Sequence, residues 1–188
     1  MTDAIINDVK LKALEILAKS GLQITEANKE NLVVTDFGLG DVYTEGAQYI
    51  ALFNGPKVSG KYIILLPGQT YPEHRHPIVD GKPGKAKTLQ CAFGEFYLYH
   101  NYFWRAPKPE TPAAKLPEAN KGYYACVYES IIKTGENYHM GADDLHWFQA
   151  GPEGAVIIEF GTYSNDDKDY YSNYHIAPLE KKEFKILP

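Results

Sequence analysis

The sequence predicts a mainly β fold, a small barrel or jelly roll with one or two helices at its N-terminus. The first observation is an excess of aromatic residues, with 15 Tyr, 8 Phe and 2 Trp among 188 residues. The second is a series of short runs rich in Val, Ile and Thr, separated by turns of Gly, Pro, Asn and Asp. The third is that helical periodicity is confined to the first 33 residues. Helices followed by many short strands are typical of such a barrel or jelly roll.

Two helices are predicted at the N-terminus. Residues 2–19 carry a broad apolar stripe at helical spacing, which predicts an amphipathic helix. Thr2 or Asp3 can cap its first turn, and Gly21 ends it. Residues 25–33 predict a weaker second helix. We therefore expect a helical segment before the strands begin.

The remaining chain is predicted to form strands and one long loop. The first β segments are expected around residues 41–53, and the strand-length runs that follow are KYIILLPGQ, TLQCAFGEFYLYH, YYACVYESIIK, GADDLHWFQAG and GAVIIEFGTY. Residues 105–122 are rich in Pro, Ala and charge, and because β pattern resumes beyond them we expect a loop, not a domain linker. We expect one domain over 1–188, with a helical segment at 1–33 and the barrel at 41–176.

Composition excludes several classes of function. A net charge of −5 gives no electrostatic basis for binding nucleic acid or an anionic membrane. No run approaches the ~18 apolar residues of a membrane span. The N-terminus carries acids early and lacks an apolar signal core, so we expect a cytoplasmic protein. Cys91 and Cys126 lie in apolar runs, and their number and spacing fit neither a disulfide framework nor a zinc clip, so we expect both to be buried.

The motif His74-Arg75-His76 carries the strongest chemical signal. Residues i and i+2 of a strand point to the same face, so both imidazoles can enter one barrel interior. His146 follows a polar turn and precedes an apolar strand, which suits a third ligand. Three neutral imidazoles suit a first-row divalent ion, with carboxylates or waters completing its coordination. The three histidines are therefore candidate metal ligands.

Glu159 is an acid in the otherwise apolar run AVIIEFG. On a strand it shares its face with Ile157 and Gly161. Since a buried acid is costly unless it is paired or functional, Glu159 is a candidate pocket residue. The alternative is an edge strand on which Glu159 faces water.

Two longer segments carry a family resemblance. LLPGQTYPEHRHPIVDGKPGKAKTLQCAFGEFYLY and HWFQAGPEGAVIIEF resemble the cupin-type D-lyxose isomerases, metal-dependent aldose–ketose isomerases of bacteria and archaea. The similarity runs from about Asp36 to about Ile176 and is interrupted by the loop near 105–122. It implies a cupin-type β-barrel, usually dimeric, that interconverts D-lyxose and D-xylulose, and also D-mannose and D-fructose, through a cis-enediol. The implied partner is a small sugar.

The resemblance also implies a metal site, in which one ligand departs from the family pattern. The family holds a divalent ion, commonly manganese, with the two histidines of HRH, a following glutamate and a later histidine. The histidines correspond to His74, His76 and His146, but Lys87 stands where the family has the glutamate. The family pattern G-K-x-E-T is here GKAKT, which retains the first lysine as Lys85. Co²⁺, Zn²⁺ and Fe²⁺ are the alternative ions.

Catalytic and sugar-binding roles follow from the same resemblance. Lys85 is expected to polarise or protonate a sugar oxygen, with a solvated turn lysine as the structural alternative. Glu159, at a position where the family has an acid, is the expected general base. Asp166 and Asp169 match family acids, and His175 replaces a family arginine. These three are expected either to contact sugar hydroxyls or to lie in a solvated loop.

Lys87 leaves two interpretations open. An ammonium group ~4 Å from a dication costs about 8 kcal/mol at an effective dielectric constant of ~20, and losing the carboxylate removes a comparable attraction. If Lys87 points inward and stays protonated, we expect a weakened or absent metal. The protein is then either an isomerase impaired at one ligand position or a non-catalytic sugar-binding cupin that has lost its metal.

Overall fold

A curled antiparallel β-sheet forms most of the molecule. The computed structural model describes residues 1–163 and 168–176, and within these ranges two α-helices precede nine strands. The elements are α1 (Asp3–Lys19), α2 (Glu26–Glu30), β1 (Val33–Thr35), β2 (Ala47–Asn54), β3 (Val58–Leu65), β4 (Thr70–Arg75), β5 (Lys87–His100), β6 (Tyr128–Lys133), β7 (Asn137–Met140), β8 (His146–Thr162) and β9 (Tyr170–Tyr171). The mainly β prediction is confirmed.

Both predicted helices form, and local capping fixes where they start. The Thr2 hydroxyl caps α1, and Gly21 follows the helix with a φ of 74°. Thr25 and Asn28 form a reciprocal capping box at the start of α2. The second helix is shorter than predicted because the chain enters β1 soon after it.

Two apolar clusters lie on opposite faces of the sheet. The inner cluster includes Phe37, Ile63, Leu65, Leu89, Phe96, Leu98, Phe148 and Ile157. The outer cluster joins α1 to the sheet and includes Val9, Ala13, Ile16, Leu17, Ile50, Ile64 and Val156. Neighbouring residues such as Ile63 and Ile64 enter different clusters, as the two-residue period of a strand requires. This alternation decides which side chains reach the barrel interior.

β8 is the central strand of the sheet. It pairs with β3, β4 and β5, and it carries His146 at its first position and Glu159 near its end. The sequence predicts two runs separated by a turn here, but they form one strand. Gly94 of β5 and Gly154 of β8 have φ of 70° and 81°, and a Cβ on Gly94 would lie 2.1 Å from the Gly154 carbonyl oxygen. The two glycines therefore let the strands bulge together without separating.

The first β segments differ from the prediction for 41–53. β1 lies earlier in the chain, and β2 begins only at Ala47. The Asp41 side chain accepts hydrogen bonds from the backbone N–H groups of Tyr43 and its neighbour, which stabilises a turn instead of a strand. The predicted loop at 105–122 is irregular until a short 3-10 turn at its end.

Two further observations concern the class of protein. Within residues 1–163 and 168–176, no helix combines the length and apolar character needed to cross a membrane. Cys91 and Cys126 are both free and buried, as predicted. That residues 1–188 form a single cupin domain stays a prediction.

Candidate metal centre

Three buried histidines lie together inside the barrel. His74 of β4 and His146 of β8 are opposite each other in the strand pairing, and His76 directly follows β4. Their potential ligand nitrogens all lie within 4.8 Å of one another, and each residue is at most 4% exposed. The pairing of β4 with β8 thus brings His74 and His146 together, and His76 joins them from the residue that follows β4.

Backbone carbonyls hold two of the three rings. His74 Nδ1 lies 2.9 Å from the carbonyl oxygen of Pro72, and His146 Nδ1 lies 2.7 Å from that of Asp144. A carbonyl oxygen only accepts hydrogen bonds, so each Nδ1 carries the hydrogen and donates it. The other ring nitrogen, Nε2, then keeps its lone pair. Both rings are fixed in the tautomer that can bind a metal through Nε2.

A carboxylate holds the third ring. His76 Nδ1 lies 2.6 Å from Asp169 Oδ1, and the two side chains are buried. The Nε2 atoms of His76 and His146 are also buried and have no hydrogen-bond partner among the described residues. Buried acceptors are costly unless a donor or a cation meets them. This observation fits a cation between the three rings.

All three imidazoles are held in the neutral form that metal binding requires. Burial lowers the pKa of His74, His76 and His146 well below the usual value and is the largest cause for each ring. The Lys87 ammonium group lowers all three pKa values further. Neutral nitrogen donors suit a first-row divalent ion, so the three histidines form a possible metal site.

Lys87 points into the same interior. It is the first residue of β5 and is only 3% exposed. Its Nζ lies 3.4 Å from Glu159 Oε2. Burial lowers the pKa of Lys87 to about 8, and the attraction of Glu159 offsets part of that fall. At neutral pH the amine is therefore still largely protonated, and it adds positive charge beside the three histidines.

Glu159 lies at the centre of a buried cluster of ionised groups. Its Oε1 lies 2.9 Å from Lys85 Nζ and 3.5 Å from Lys61 Nζ, while Lys87 contacts its other oxygen. Burial would raise the pKa of the Glu159 carboxyl, but the three lysines outweigh it and hold this pKa well below the usual range. Glu159 and Lys85 are both buried, so the water-facing alternatives for these two residues do not hold.

Lys61 is a residue of this cluster that sequence reasoning missed. It lies in β3 directly opposite Glu159 of β8 in the strand register. A lysine at the start of an apolar run usually extends to solvent. Only the knowledge that β3 and β8 are neighbours would have singled it out.

The charges around the histidines leave a positive balance. The ammonium groups of Lys61, Lys85 and Lys87 face the carboxylates of Glu159 and Asp169. Three positive groups against two negative groups leave one net positive charge. A glutamate at position 87 would make the net charge −1, which suits a dication far better.

A cavity of about 290 Å³ lies against the centre. Its wall includes His76, Lys85 and Asp169, and the exposed Tyr163 borders it. Lys85 of the buried cluster, Asp169 and His76 therefore share one cavity, whose volume is close to the lower limit of small-molecule sites.

The predicted sugar-contacting residues lie in different places. Asp169 lines the cavity and bonds His76. Asp166 lies outside the described residues. His175 is exposed, and its ring packs against that of Tyr174. Contacts of these residues with a sugar stay a prediction.

Known proteins resemble the chain along almost its whole length. The D-lyxose/D-mannose isomerase of Thermosediminibacter oceani is 39% identical over 178 residues, which cover 95% of this chain and 96% of that protein. The D-lyxose ketol-isomerase of Thermofilum sp. is 38% identical over 179 residues, covering 95% and 97%. That of Cohnella laeviribosi is 35% identical over 173 residues, covering 92% and 93%. No protein-family profile matches the chain.

Solved structures share the fold at low sequence identity. The L-ribose isomerase of Cellulomonas parahominis has a TM-score of 0.74 at 15% identity, covering 94% of both chains. That of Acinetobacter sp. DL28, in complex with L-ribose, has a TM-score of 0.70 at 18% identity, covering 87% and 82%. These matches confirm the predicted cupin-type β-barrel. Because the relatives of 35% to 39% identity cover at least 92% of the chain, the protein belongs to the D-lyxose ketol-isomerase family of sugar isomerases.

Proposed function

We propose that the protein interconverts D-lyxose and D-xylulose, and D-mannose and D-fructose, through a cis-enediol. The observation that carries the proposal is one buried interior in which three histidines converge beside the contact between Lys85 and Glu159. The adjoining cavity offers room for a small sugar. The names of the relatives supply the two aldoses.

Glu159 is the proposed base that moves a proton between C1 and C2 of the sugar. Its carboxyl is ionised because the surrounding lysines outweigh burial, which alone would raise its pKa, and an ionised carboxylate can accept the carbon-bound proton. Lys85, whose Nζ donates to Glu159 Oε1 at 2.9 Å, protonates or polarises a sugar oxygen next to that carbon. The burial of both residues keeps bulk water away from the transferred proton.

His74, His76 and His146 are the proposed ligands of a divalent cation, and manganese is the proposed ion. When bound, the cation would polarise the sugar carbonyl and stabilise the negative charge that develops on the sugar oxygens. Lys87 opposes it, since an ammonium group shares the interior in which the family has a fourth ligand. We therefore propose an isomerase whose metal affinity and activity are reduced by Lys87.

The test is conversion of D-lyxose to D-xylulose by the purified protein, with and without Mn²⁺. Glu159→Gln is expected to lower kcat by about 100- to 10,000-fold, because an amide cannot accept the proton. Glu153→Gln, at an exposed position of the same strand, is the matched control and is expected to keep full activity. Saturable sugar binding without conversion in the unchanged protein, at any Mn²⁺ concentration, would contradict the proposal and favour a non-catalytic sugar-binding cupin.

We also propose a homodimer, which the family resemblance implies. Light scattering of the purified protein tests it, and the mass of a single chain at working concentration would contradict it. The cytoplasmic location stays a prediction from the sequence.

A further inference from the structure

The three histidine rings donate hydrogen bonds to two kinds of acceptor, and only one of these acceptors is the carboxylate of an acid. His74 and His146 donate to backbone carbonyls two residues away, whereas His76 donates to Asp169, 93 residues away along the chain. We propose that Asp169 is a positioning residue that fixes the ring of His76, and that Glu73 fastens the segment carrying Asp169 to the barrel. The inference rests on the proposed metal centre and deepens it.

The contact between Asp169 and His76 is short and buried. Nδ1 and Oδ1 are 2.6 Å apart, and the side chains of His76 and Asp169 are 4% and 7% exposed. The carboxylate accepts the Nδ1 hydrogen, which leaves the Nε2 lone pair available beside the other two rings. Without this acceptor the ring can turn, or carry its hydrogen on Nε2, and in either state it no longer offers Nε2 to a metal. Asp169 therefore acts through His76.

The segment that carries Asp169 is attached to the strand that carries the histidines. β9 pairs with β4, with Tyr171 opposite His74 and Tyr170 opposite Arg75. The Arg75 guanidinium also lies over the Tyr170 ring, 4.8 Å from its centre. Strand pairing thus delivers the carboxylate of Asp169 to the ring next to this pairing.

Glu73 fastens the same segment from the opposite face of β4. Neighbours in a strand point to opposite faces, so Glu73 points away from the centre that His74 enters. Its Oε1 accepts a hydrogen bond from Ser172 Oγ at 2.6 Å, and its backbone oxygen accepts one from the Ser172 N–H at 3.1 Å. Its Oε2 accepts the N–H groups of Ala125 and Cys126, both at 2.8 Å. One buried carboxylate therefore joins β4, the segment after β9 and the loop before β6.

The primary measurement is the tautomer of His76 in the metal-free protein, read from its two imidazole ¹⁵N chemical shifts. In the unchanged protein we expect hydrogen on Nδ1 alone. Asp169→Ala removes the acceptor, so we expect the Nε2–H form of His76 to appear while His74 and His146 keep theirs. Asp169→Asn retains an oxygen acceptor and is expected to keep the Nδ1–H form.

The second measurement is the Mn²⁺ dissociation constant, determined from the electron paramagnetic resonance signal of the free ion. It is made in the unchanged protein and in the Lys87→Glu protein. We expect Asp169→Ala to weaken Mn²⁺ binding by about 10- to 100-fold, the usual effect of losing the partner of a ligating histidine. Asp169→Asn, in which the acceptor loses its charge but not its oxygen, is expected to have a smaller effect.

Two further variants separate the roles of the residues. Asp143→Asn is the matched control. Asp143 is an exposed acid whose side chain forms an ion pair with Arg75, and only its backbone N–H contacts His76. This variant is expected to change neither readout. Ser172→Ala leaves Asp169 intact but removes a contact of Glu73, and is expected to weaken Mn²⁺ binding by less than Asp169→Ala. Unchanged affinity in Ser172→Ala would remove Glu73 from the proposal.

Two results overturn the role of Asp169. One is an Asp169→Ala protein in which His76 stays in the Nδ1–H form. The other is a changed tautomer with a Mn²⁺ affinity equal to that of Asp143→Asn. If neither background binds Mn²⁺, the proposed metal centre fails, whereas the tautomer measurement still decides whether Asp169 orients His76.

Discussion

Lys87 sits in the barrel interior with its Nζ 3.4 Å from Glu159 Oε2 and 3% of its surface exposed. The same ammonium group lowers the pKa of the three neighbouring histidines, in addition to the larger effect of burial. One residue therefore influences both the proposed metal ligands and the proposed base. The residue-scale predictions concern this position.

Lys87→Glu is expected to bind close to one Mn²⁺ per chain, and the unchanged protein is expected to bind substoichiometric Mn²⁺. The substitution removes a repulsion and supplies a carboxylate ligand, and both effects favour the dication. Isomerase activity is expected to rise with metal content. Elemental analysis after purification with Mn²⁺, followed by a D-lyxose assay, measures the two quantities.

Lys87→Gln is the control for this prediction, because it removes the charge without adding a carboxylate. We expect its metal content to lie between those of the other two proteins. Full occupancy in the unchanged protein would show that the amine does not oppose the ion, and the electrostatic argument would have to be given up.

The lowered pKa of Lys87 makes stability depend on pH. Burial lowers the pKa of this amine to about 8 from a usual value of 10.5. Between these two values Lys87 binds more protons in the unfolded chain than in the folded one, so its own contribution to the free energy of unfolding rises with pH, by at most about 3 kcal/mol. Urea unfolding from about pH 7 to about pH 9.5 measures this rise. Lys87→Gln is expected to lack it, and parallel pH profiles of the two proteins would argue against a buried ammonium group.

At the scale of elements, the sequence predicts those features that depend on the residue pattern within a single segment. The apolar stripe and the Thr2 cap predict α1, and the spacing of His74 and His76 predicts a shared strand face. The joining of β8 into one strand was not predictable, because it depends on Gly94 and Gly154 bulging against each other across two strands. The residue pattern within one segment does not indicate which remote segment will pair with it.

The connection between β4 and β5 has no room for a side chain at Gly84. A Cβ at this position would lie 1.7 Å from the His76 carbonyl oxygen. Gly84→Ala is therefore expected to displace the turn that leads to Lys85 and to cost more than about 2 kcal/mol of unfolding free energy. Gly122→Ala is the matched control, because nothing lies within 4 Å of its Cβ position. Thermal unfolding compares the two variants, and equal Tm values would show that the turn relaxes without cost.

At the scale of the whole molecule, the proposed metal site draws its residues from strands distributed through the sheet. The residue pattern predicted the barrel and the three candidate ligands, the family resemblance implied the same set, and the comparisons confirm the barrel. Sequence reasoning missed Lys61 because its place opposite Glu159 depends on the register of two strands. It also missed the hydrogen bond between His76 and Asp169, because Asp169 lies in a segment that returns to β4 from far along the chain. The net charge around the three histidines therefore depends on the tertiary structure and not on the residue pattern of any one segment.

An ion held by β4, β8 and the turn after β4 is expected to stabilise the whole sheet. A ligand that binds only the folded state adds about 2.7 kcal/mol when present at 100 times its dissociation constant. We expect the Tm of Lys87→Glu to rise with Mn²⁺ concentration and that of the unchanged protein to rise far less. Scanning calorimetry over a range of Mn²⁺ concentrations measures the difference, and matching responses would mean that Lys87 has no influence on binding.

The unequal anchoring of β8 and β9 implies an order of events on warming. β8 pairs with three strands, so its amides exchange their hydrogens with solvent only when the sheet itself unfolds. β9 has two residues, and among the described strands it pairs with β4 alone. Local opening of β9 breaks these few contacts and the hydrogen bonds of Ser172 to Glu73, so it is expected to require less energy than unfolding of the sheet and to release Asp169 from His76 while the barrel remains folded. We therefore expect isomerase activity to be lost reversibly on warming, at temperatures below the unfolding of the barrel.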